Sequence, residues 1–331
     1  MSSFRRASWL SSALLVLAVT AARGEGPVYI DPANAGEDYA VQGEYVGELP
    51  TENGRQMFGV QVIARGKGQF EAVAYGGGLP GAGWNGEEPL RVAGKRENGE
   101  VVFTTEGGKG VARGGKLLAL NDQGVTVAEL QRIERRSPTL GQKPPEGAIV
   151  LFDGTNTDQW QDGKLTDDGL LMQGTTSIPK FQDHQVHIEF RLPFQPEDEG
   201  QARGNSGIYL QGRYEVQMLD SFGLEGKNNE CGGIYSLKAP DVNMCFPPLT
   251  WQTYDIEFTA ARYDEQGNQI AKPRITVRHN GEVIHRNVEL PDETTRGAPV
   301  APGPEPGPIY LQDHGNPVRY RNIWVISRPA D

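Results

Sequence analysis

The stretch from residue 204 to 221, GNSGIYLQGRYEVQMLDS, constrains the fold most, because it is typical of two β-strands joined by a tight Gly-Arg turn. We predict strands at 208–211 and 214–220. Side chains alternate between the two faces of a strand, so Glu215 and Gln217 share one face. The opposite face is mostly apolar and carries Tyr214, Val216, Met218 and Asp220. The stretch therefore predicts a half-buried hairpin that places a carboxylate beside an amide.

The rest of the chain also predicts short strands and turns. It contains 43 Gly and 23 Pro, and no long stretch has the periodicity of an amphipathic helix. We therefore predict an all-β protein, and 331 residues suffice for two domains. A small β domain of unknown role is expected at 25–137 and a Pro- and Gly-rich linker at 138–146. A second β domain is expected at 147–331.

The N-terminus has the pattern of a signal peptide at residues 1–24. Arg5 and Arg6 precede an apolar run at 9–22, which is short for a membrane span. We expect a periplasmic or secreted protein with no membrane span after signal removal; a retained anchor helix is the alternative. The formal net charge of −11 makes nucleic acid a poor partner. Nothing in the sequence fixes the oligomeric state.

The chain contains two cysteines, Cys231 and Cys245, in one predicted loop. In an oxidising compartment a disulfide between them would stabilise the fold by about 3 kcal/mol on the loop-entropy argument. Free buried thiols are the alternative. Their spacing does not indicate a zinc site.

Several short phrases, taken in order, resemble the 3-keto-disaccharide hydrolase family. They are LFDGT at 151–155, NSGIY at 205–209, YEVQ at 214–217, LQDHG at 311–315 and RNIW at 321–324. The resemblance covers about residues 147–328. It implies an antiparallel jelly-roll sandwich, similar to concanavalin-type lectins and glucanases. The paired-carboxylate ExDxxE signature of those glucanases is absent, which puts their two-carboxylate mechanism in doubt.

Three residues are candidates for catalysis. Glu215 lies on the predicted sheet face that would contact sugar, although an exposed glutamate needs no function. Asp220 shares its site only if the strand ends or bulges there, and otherwise caps the loop. His314 follows Asp313 in a predicted loop, where it would act as a base, bind a metal or simply donate a structural hydrogen bond.

Other polar residues are candidates for substrate binding. Amide side chains suit sugar hydroxyls, and four of them fall in the family phrases or beside them: Asn205, Gln211, Gln217 and Gln312. Glu189 and Lys238 are further candidates, although exposed faces carry such residues anyway. Arg319 would bind an oxyanion or pair with Asp313.

The resemblance implies an enzyme that cleaves the glycosidic bond of 3-keto-disaccharides or related glycosides. A ketone at C3 acidifies the C2 proton, so a base can start an elimination that releases the C1 substituent, and water addition completes the hydrolysis. Glu215 or His314 would be the base and Asp220 the acid. A divalent cation would suit the enolate oxygen, but the sequence fixes no ligand set. The alternative is a non-catalytic, lectin-like sugar-binding module.

Overall fold

The computed structural model describes residues 26–329, so the predicted signal peptide lies outside the described residues. The fold is all-β, as predicted. The described part of the chain contains three short helical segments: Pro32–Asn34 and Gly200–Ala202, which are 3-10 turns, and the helix α1 at Gly36–Val41. Within residues 26–329 no helix has the length and apolar character needed to cross a membrane.

The first unit is a closed antiparallel barrel of eight strands. They are β1 (Gly43–Thr51), β2 (Gly54–Ala64), β3 (Gln69–Gly76), β4 (Leu90–Glu97), β5 (Glu100–Thr105), β6 (Gly108–Arg113), β7 (Lys116–Asn121) and β8 (Thr126–Ile133). Each strand pairs with the next, and β1 closes the barrel by pairing with β8, with Glu44 opposite Ile133. Closure removes the sheet edges that an open sheet would expose. Alternate apolar side chains fill the interior, among them Val62, Phe70, Val101, Phe103 and Leu130.

The second unit is an antiparallel sandwich of two sheets with a small two-stranded sheet beside it. Its strands are β9 (Ile149–Phe152), β10 (Trp160–Gln161), β11 (Leu171–Met172), β12 (Thr175–Phe181), β13 (His184–Arg191), β14 (Ser206–Leu210), β15 (Tyr214–Met218), β16 (Trp251–Thr259), β17 (Arg262–Tyr263), β18 (Gln269–Ala271), β19 (Arg274–His279), β20 (Glu282–Glu289), β21 (Gly307–Leu311) and β22 (Arg319–Ser327). One sheet has the order β10-β12-β21-β14-β15. The other has the order β11-β22-β13-β16-β19-β20, with β9 beside β22.

The core of the sandwich lies between these two sheets. Every second residue of β13 and β15 enters it, and Ile188, Phe190 and Val216 are completely buried there. Because side chains alternate in a strand, the intervening residues of each sheet face away from this core. Glu215 therefore lies on the outer face of the five-stranded sheet, and Glu189 lies on the outer face of the seven-stranded sheet.

The predicted linker packs on the outer face of the seven-stranded sheet. The Gly141 amide donates to Glu189 at 2.5 Å, and the Thr139 hydroxyl donates to Asp255 at 2.7 Å. Gln142 accepts a hydrogen bond from the Asn322 side chain at 3.0 Å. Part of this Pro- and Gly-rich segment is thus held along the sandwich by specific hydrogen bonds.

The barrel also contacts the sandwich through buried side chains. The Arg203 guanidinium donates to the backbone oxygen of Ala64, at the end of β2. Phe222 packs against Ile63 of the barrel. Arg135 makes two hydrogen bonds to buried Glu44, and its guanidinium lies 4.8 Å from the Phe246 ring centroid. Charge and apolar contacts together fix the barrel against the segment that precedes β14 and the loop that follows β15.

Both cysteines are free, buried thiols, so the alternative to the disulfide is the arrangement seen in this structure. The Cys231 sulfur lies 3.3 Å from the Tyr254 hydroxyl. The Cys245 thiol donates weakly to the Leu219 backbone oxygen at 3.5 Å. Burial raises the pKa of the Cys245 thiol well above its ordinary value, which favours an unreactive thiol.

Candidate functional site

The hairpin β14–β15 builds the candidate site, with the predicted division of its two faces. Leu210 pairs with Tyr214, which leaves a three-residue turn at 211–213. The strands end at Leu210 and Met218, one and two residues earlier than predicted. Tyr209 lies directly opposite Glu215 in the register, so their side chains meet on the outer face.

Gly207 makes room for the Glu215 carboxyl group. A Cβ atom at Gly207 would lie only 2.1 Å from Glu215 Oε1 and 2.8 Å from its carboxyl carbon. The Glu215 side chain therefore lies across β14, in the space that any other residue at position 207 would fill. A glycine in a strand here serves close approach rather than a turn.

Burial controls the charge of Glu215. The residue is 1% exposed, and desolvation raises the pKa of its carboxyl group to about 8, against a smaller lowering by the hydrogen bond from Tyr209. The Tyr209 hydroxyl donates to Glu215 Oε2 at 2.7 Å, and Gln312 Nε2 donates to the Tyr209 oxygen at 3.1 Å. Within residues 26–329 no cationic side chain pairs with Glu215 at 4.0 Å or less. At neutral pH the carboxyl group is mostly protonated, and its carboxylate is unusually basic.

Amide side chains extend the site beyond Glu215. Gln217 Nε2 donates to Gln201 Oε1 at 3.0 Å, and Asn205 Nδ2 donates to the same oxygen at 3.2 Å. Several buried polar atoms around β14 lack a hydrogen-bond partner: Asn205 Oδ1, Gln217 Oε1, Gln312 Oε1 and His314 Nδ1. Buried polar atoms without partners are rare and need an explanation, such as a ligand that supplies the missing hydrogen bonds.

His314 lies in the segment that follows β21 and runs beside the start of β14. The Gln312 backbone N–H donates to the Gly207 backbone oxygen at 2.9 Å, and the Asn205 backbone N–H donates to Asn316 Oδ1 at 3.0 Å. His314 lies between these two anchors in the chain and is half-buried. The segment therefore brings the imidazole to the same end of the sheet as the amide cluster.

Residues 147–326, more than half of the chain, match the family described as the 3-keto-alpha-glucoside-1,2-lyase-like domain. The chain belongs to this family. The predicted resemblance is thereby confirmed. No curated protein matches the chain.

Solved structures resemble more than half of the chain. A protein from Parabacteroides distasonis ATCC 8503, provisionally named a glycosyl hydrolase, is 36% identical with a TM-score of 0.51. The match covers 56% of this chain and 85% of that chain. A second protein of that name and organism is 18% identical with a TM-score of 0.41, over 56% of this chain and 95% of that chain. The second likeness is too distant to support a structural comparison.

Asp220 has a different environment from Glu215. The strand does end before it, as the predicted shared site required, but its carboxylate accepts from Arg203 Nε at 2.7 Å. Asp220 and Arg203 are each 3% exposed. Because the carboxylate already balances a buried guanidinium, the structure favours a structural role for Asp220 over the predicted acid role.

Two predicted binding residues lie on the other sheet of the lyase-like domain. Glu189 faces outward from β13 and contacts Arg321 at 2.6 Å and the Gly141 amide. Arg319 faces outward from β22 and donates to Gln173 at 2.8 Å rather than to Asp313. The outer face of the seven-stranded sheet is opposite the face that carries Glu215, so neither residue joins that site.

Two further candidates have structural contacts. Gln211 lies in the hairpin turn with φ +53°, and its amide donates to the Phe181 oxygen at 2.9 Å and accepts from Arg213. Lys238 pairs with Asp241 at 2.6 Å in the loop beside β15. These contacts place neither side chain in the Glu215 cluster. Of the predicted binding residues, the cluster contains Asn205, Gln217 and Gln312.

Sequence reasoning missed three residues of the site: Gly207, Tyr209 and Gln201. The predicted two-residue Gly-Arg turn would place Leu210 opposite Glu215, whereas the observed turn at 211–213 places Tyr209 there, so Tyr209 was not predicted. Gln201 lies in a short 3-10 turn outside the predicted strands, so no periodicity indicated it.

The described residues do not offer a ligand set for a divalent cation. Within residues 26–329 no group of three or more His, Cys, Asp or Glu side chains is placed to hold a metal ion. The Glu215 cluster itself consists of one carboxyl group, one phenol and several amides, a poor match to sites that use several carboxylates. We therefore assign no metal-dependent step to these residues.

The space above Gly207 gives a first prediction. Gly207→Ala should push the Glu215 carboxyl group away from Tyr209, because the new methyl group cannot share the space of Oε1. Misplacement of a reacting group by about 1 Å lowers turnover by about 10²-fold, so we expect a loss of about tenfold to 10²-fold in kcat. Turnover of a 3-keto-disaccharide measures it.

Gly107→Ala is the matched control, because a Cβ atom there meets nothing within 4 Å. Unchanged turnover in Gly107→Ala with a loss in Gly207→Ala is the expected pair of results. Equal turnover in both variants would mean that the position of the Glu215 carboxyl group is unimportant.

Proposed function

We propose that the protein is a glycoside-cleaving enzyme that acts on 3-keto-disaccharides or related 3-keto-glycosides, with Glu215 as the base. The observation that supports it most is the buried Glu215 carboxyl group with a pKa of about 8, held by Tyr209, which in turn accepts a hydrogen bond from Gln312. A base works best when its pKa lies near the working pH. Amides with unused oxygens suit the hydroxyl groups of a neutral sugar.

The proposed reaction starts with proton transfer from C2 of the 3-keto sugar to the Glu215 carboxylate. The C2–H electron pair forms the enolate, and the C1–O bond then breaks, its electrons leaving with the departing oxygen. That oxygen takes up the proton that Glu215 removed from C2 and departs as an alcohol, which restores the Glu215 carboxylate. Water then adds across the C1–C2 double bond, with hydroxyl at C1 and hydrogen at C2, to give the hydrolysis products.

Two groups beside Glu215 would support this chemistry. The Tyr209 hydroxyl holds the carboxyl group in position, and burial raises the pKa of Tyr209 far above its ordinary range, so it remains a donor. Gln312 in turn orients Tyr209. Glu215 is 1% exposed, and the Arg296 backbone oxygen accepts a hydrogen bond from the Tyr209 hydroxyl at 3.1 Å. The segment 295–297 would therefore have to move aside before substrate could reach Glu215.

Turnover of a 3-keto-disaccharide tests the proposal, with the parent disaccharide as the matched control. We expect release of monosaccharides from the 3-keto compound and none from the parent sugar, because only the ketone acidifies the C2 proton. The lectin-like alternative is favoured by the unpartnered amide oxygens, which would suit binding alone. Sugar binding on a glycan array without product from any 3-keto-glycoside would support that alternative.

The pKa of Glu215 predicts the pH dependence of the reaction. A base must be ionised, and the carboxylate fraction of a group with a pKa of about 8 rises about tenfold per pH unit below that value. We expect kcat/KM to increase about tenfold from pH 6 to pH 7 and to level off above pH 8. A profile that falls over the same range would assign Glu215 the role of an acid.

We also propose that the protein is exported, on the basis of Arg5, Arg6 and the apolar run that follows. Mass spectrometry of the protein from a periplasmic or secreted fraction should find an N-terminus near Glu25 or Ala22. An intact Met1 on protein confined to the cytoplasm would contradict export.

A further inference from the structure

The outer face of the seven-stranded sheet carries a cleft that is remote from Glu215. Its volume is about 680 Å³, within the usual range for small-molecule sites. Arg191 of β13 and Arg319 of β22 lie in its wall, directly opposite each other in the strand register. The sandwich core separates this face from the face that carries Glu215.

The two guanidinium groups lack the partners that such groups normally have. Arg319 is 7% exposed; its Nη1 donates to Gln173 and Val318, but its Nε is buried without a partner. Arg191 is half-buried, and its contact is with the Trp251 ring, 5.0 Å from the centroid. Among the described residues neither arginine has a carboxylate within 4.0 Å. Like charges directly opposite each other on neighbouring strands are destabilising.

Three aspartates line the cleft, Asp31, Asp167 and Asp168, and among the described residues none of them forms an ion pair with either arginine. Asp31 accepts hydrogen bonds from Ala33 and Asn34 at the start of a 3-10 turn. Asp168 accepts from the Thr166 hydroxyl. Burial is the largest effect and lowers the pKa of both arginines, while the charge of Asp168 opposes this at both and the charge of Asp31 opposes it at Arg191. The cleft thus has two poorly paired cations on one wall and hydrogen-bond acceptors on another.

We propose that this cleft binds a sugar that carries a carboxylate, such as a hexuronate unit. The carboxylate would lie against Arg191 and the Arg319 Nη2, which makes no hydrogen bond within the described part of the chain, because guanidinium groups bind carboxylates through charge-assisted hydrogen bonds. The sugar hydroxyls would donate to the aspartates on the opposite wall. The site would hold an acidic glycan without cleaving it, since Glu215 lies on the other side of the sandwich.

Isothermal titration calorimetry of the intact protein tests this inference with three probes: glucuronate, glucose and inorganic sulfate. We expect glucuronate to bind at least about tenfold more tightly than either of the others, because it alone combines a carboxylate with ring hydroxyls. Equal binding of glucose would contradict the role of the arginines. Equal binding of sulfate would reduce the cleft to a simple anion site, and absence of glucuronate binding up to about 10 mM would overturn the proposal.

Arg191→Gln is the main variant, because the Arg191 side chain makes no hydrogen bond within the described residues that the change would remove. We expect it to weaken glucuronate binding by about tenfold or more while turnover at Glu215 is unchanged. Arg274→Gln, which removes an exposed ion pair of the same sheet, is the matched control and should bind normally. Normal glucuronate binding in Arg191→Gln would show that the carboxylate is held elsewhere. A loss of turnover in that variant would contradict the separation of the two sites.

Discussion

Glu215→Gln is expected to lower kcat on a 3-keto-disaccharide by about 10²-fold or more, the usual effect of losing a general base. Glutamine keeps the shape of the side chain and a hydrogen bond with Tyr209, but its amide cannot accept the C2 proton. Binding of the keto-sugar should stay within about tenfold, because the amide cluster around Gln217 is unchanged. Steady-state kinetics and a separate binding measurement distinguish the two effects.

Two other variants complete the experiment. Glu257→Gln changes an exposed glutamate of β16 and should leave turnover unchanged. Normal turnover in Glu215→Gln with collapse in His314→Ala would assign the base role to His314. Normal turnover in both would mean that the reaction takes place elsewhere and that β15 is only scaffold.

Arg203→Met should lower the free energy of unfolding by about 3–5 kcal/mol, the usual cost of leaving one charge of a buried ion pair without its partner. Asp220 is 3% exposed, and its partner is the Arg203 Nε at 2.7 Å. The same guanidinium donates to Ala64 of the barrel, so its loss also removes a contact between the two units. Urea unfolding measures the change.

Arg55→Met is the control for the loss of an exposed ion pair. Arg55 and Glu48 are more than half exposed, so this change should cost about 1 kcal/mol or less. The double change Arg203→Met with Asp220→Leu should recover part of the stability, because it removes the unpaired charge. Equal stability of Arg203→Met and Arg55→Met would contradict a stabilising role for the buried pair.

Much of the fold follows from local patterns in the sequence. The alternation around Glu215 correctly predicts which side chains face the core, because the period of a strand is two residues. An Asn-Gly pair is typical of a two-residue hairpin turn, and Asn98-Gly99 lies at the turn between β4 and β5. Closure of the barrel was not predictable, since it depends on pairing of β1 with β8, in which Glu44 lies opposite Ile133, 89 positions further along the chain.

The site was harder to predict than the fold, because periodicity assigns a face to a strand but does not assign the strand to a sheet. Glu189 and Glu215 alternate with apolar residues in the same way, yet they lie on opposite outer faces of the sandwich. Tyr209 and Gly207 become visible only when the hairpin register is known. The raised pKa of Glu215 depends on burial by residues from distant segments, such as Thr295, whose hydroxyl accepts from the Glu215 amide.

The most direct test of the proposed mechanism is cleavage of a 3-keto-disaccharide in D₂O, with NMR analysis of the released 3-keto sugar. Elimination followed by water addition removes the original C2 proton and returns one from solvent. We therefore predict one deuterium at C2 in the product of the wild-type protein. A control incubation of unlabelled 3-keto sugar without protein corrects for spontaneous exchange. Product that retains its C2 proton would show direct cleavage at C1 and would contradict the role proposed for Glu215.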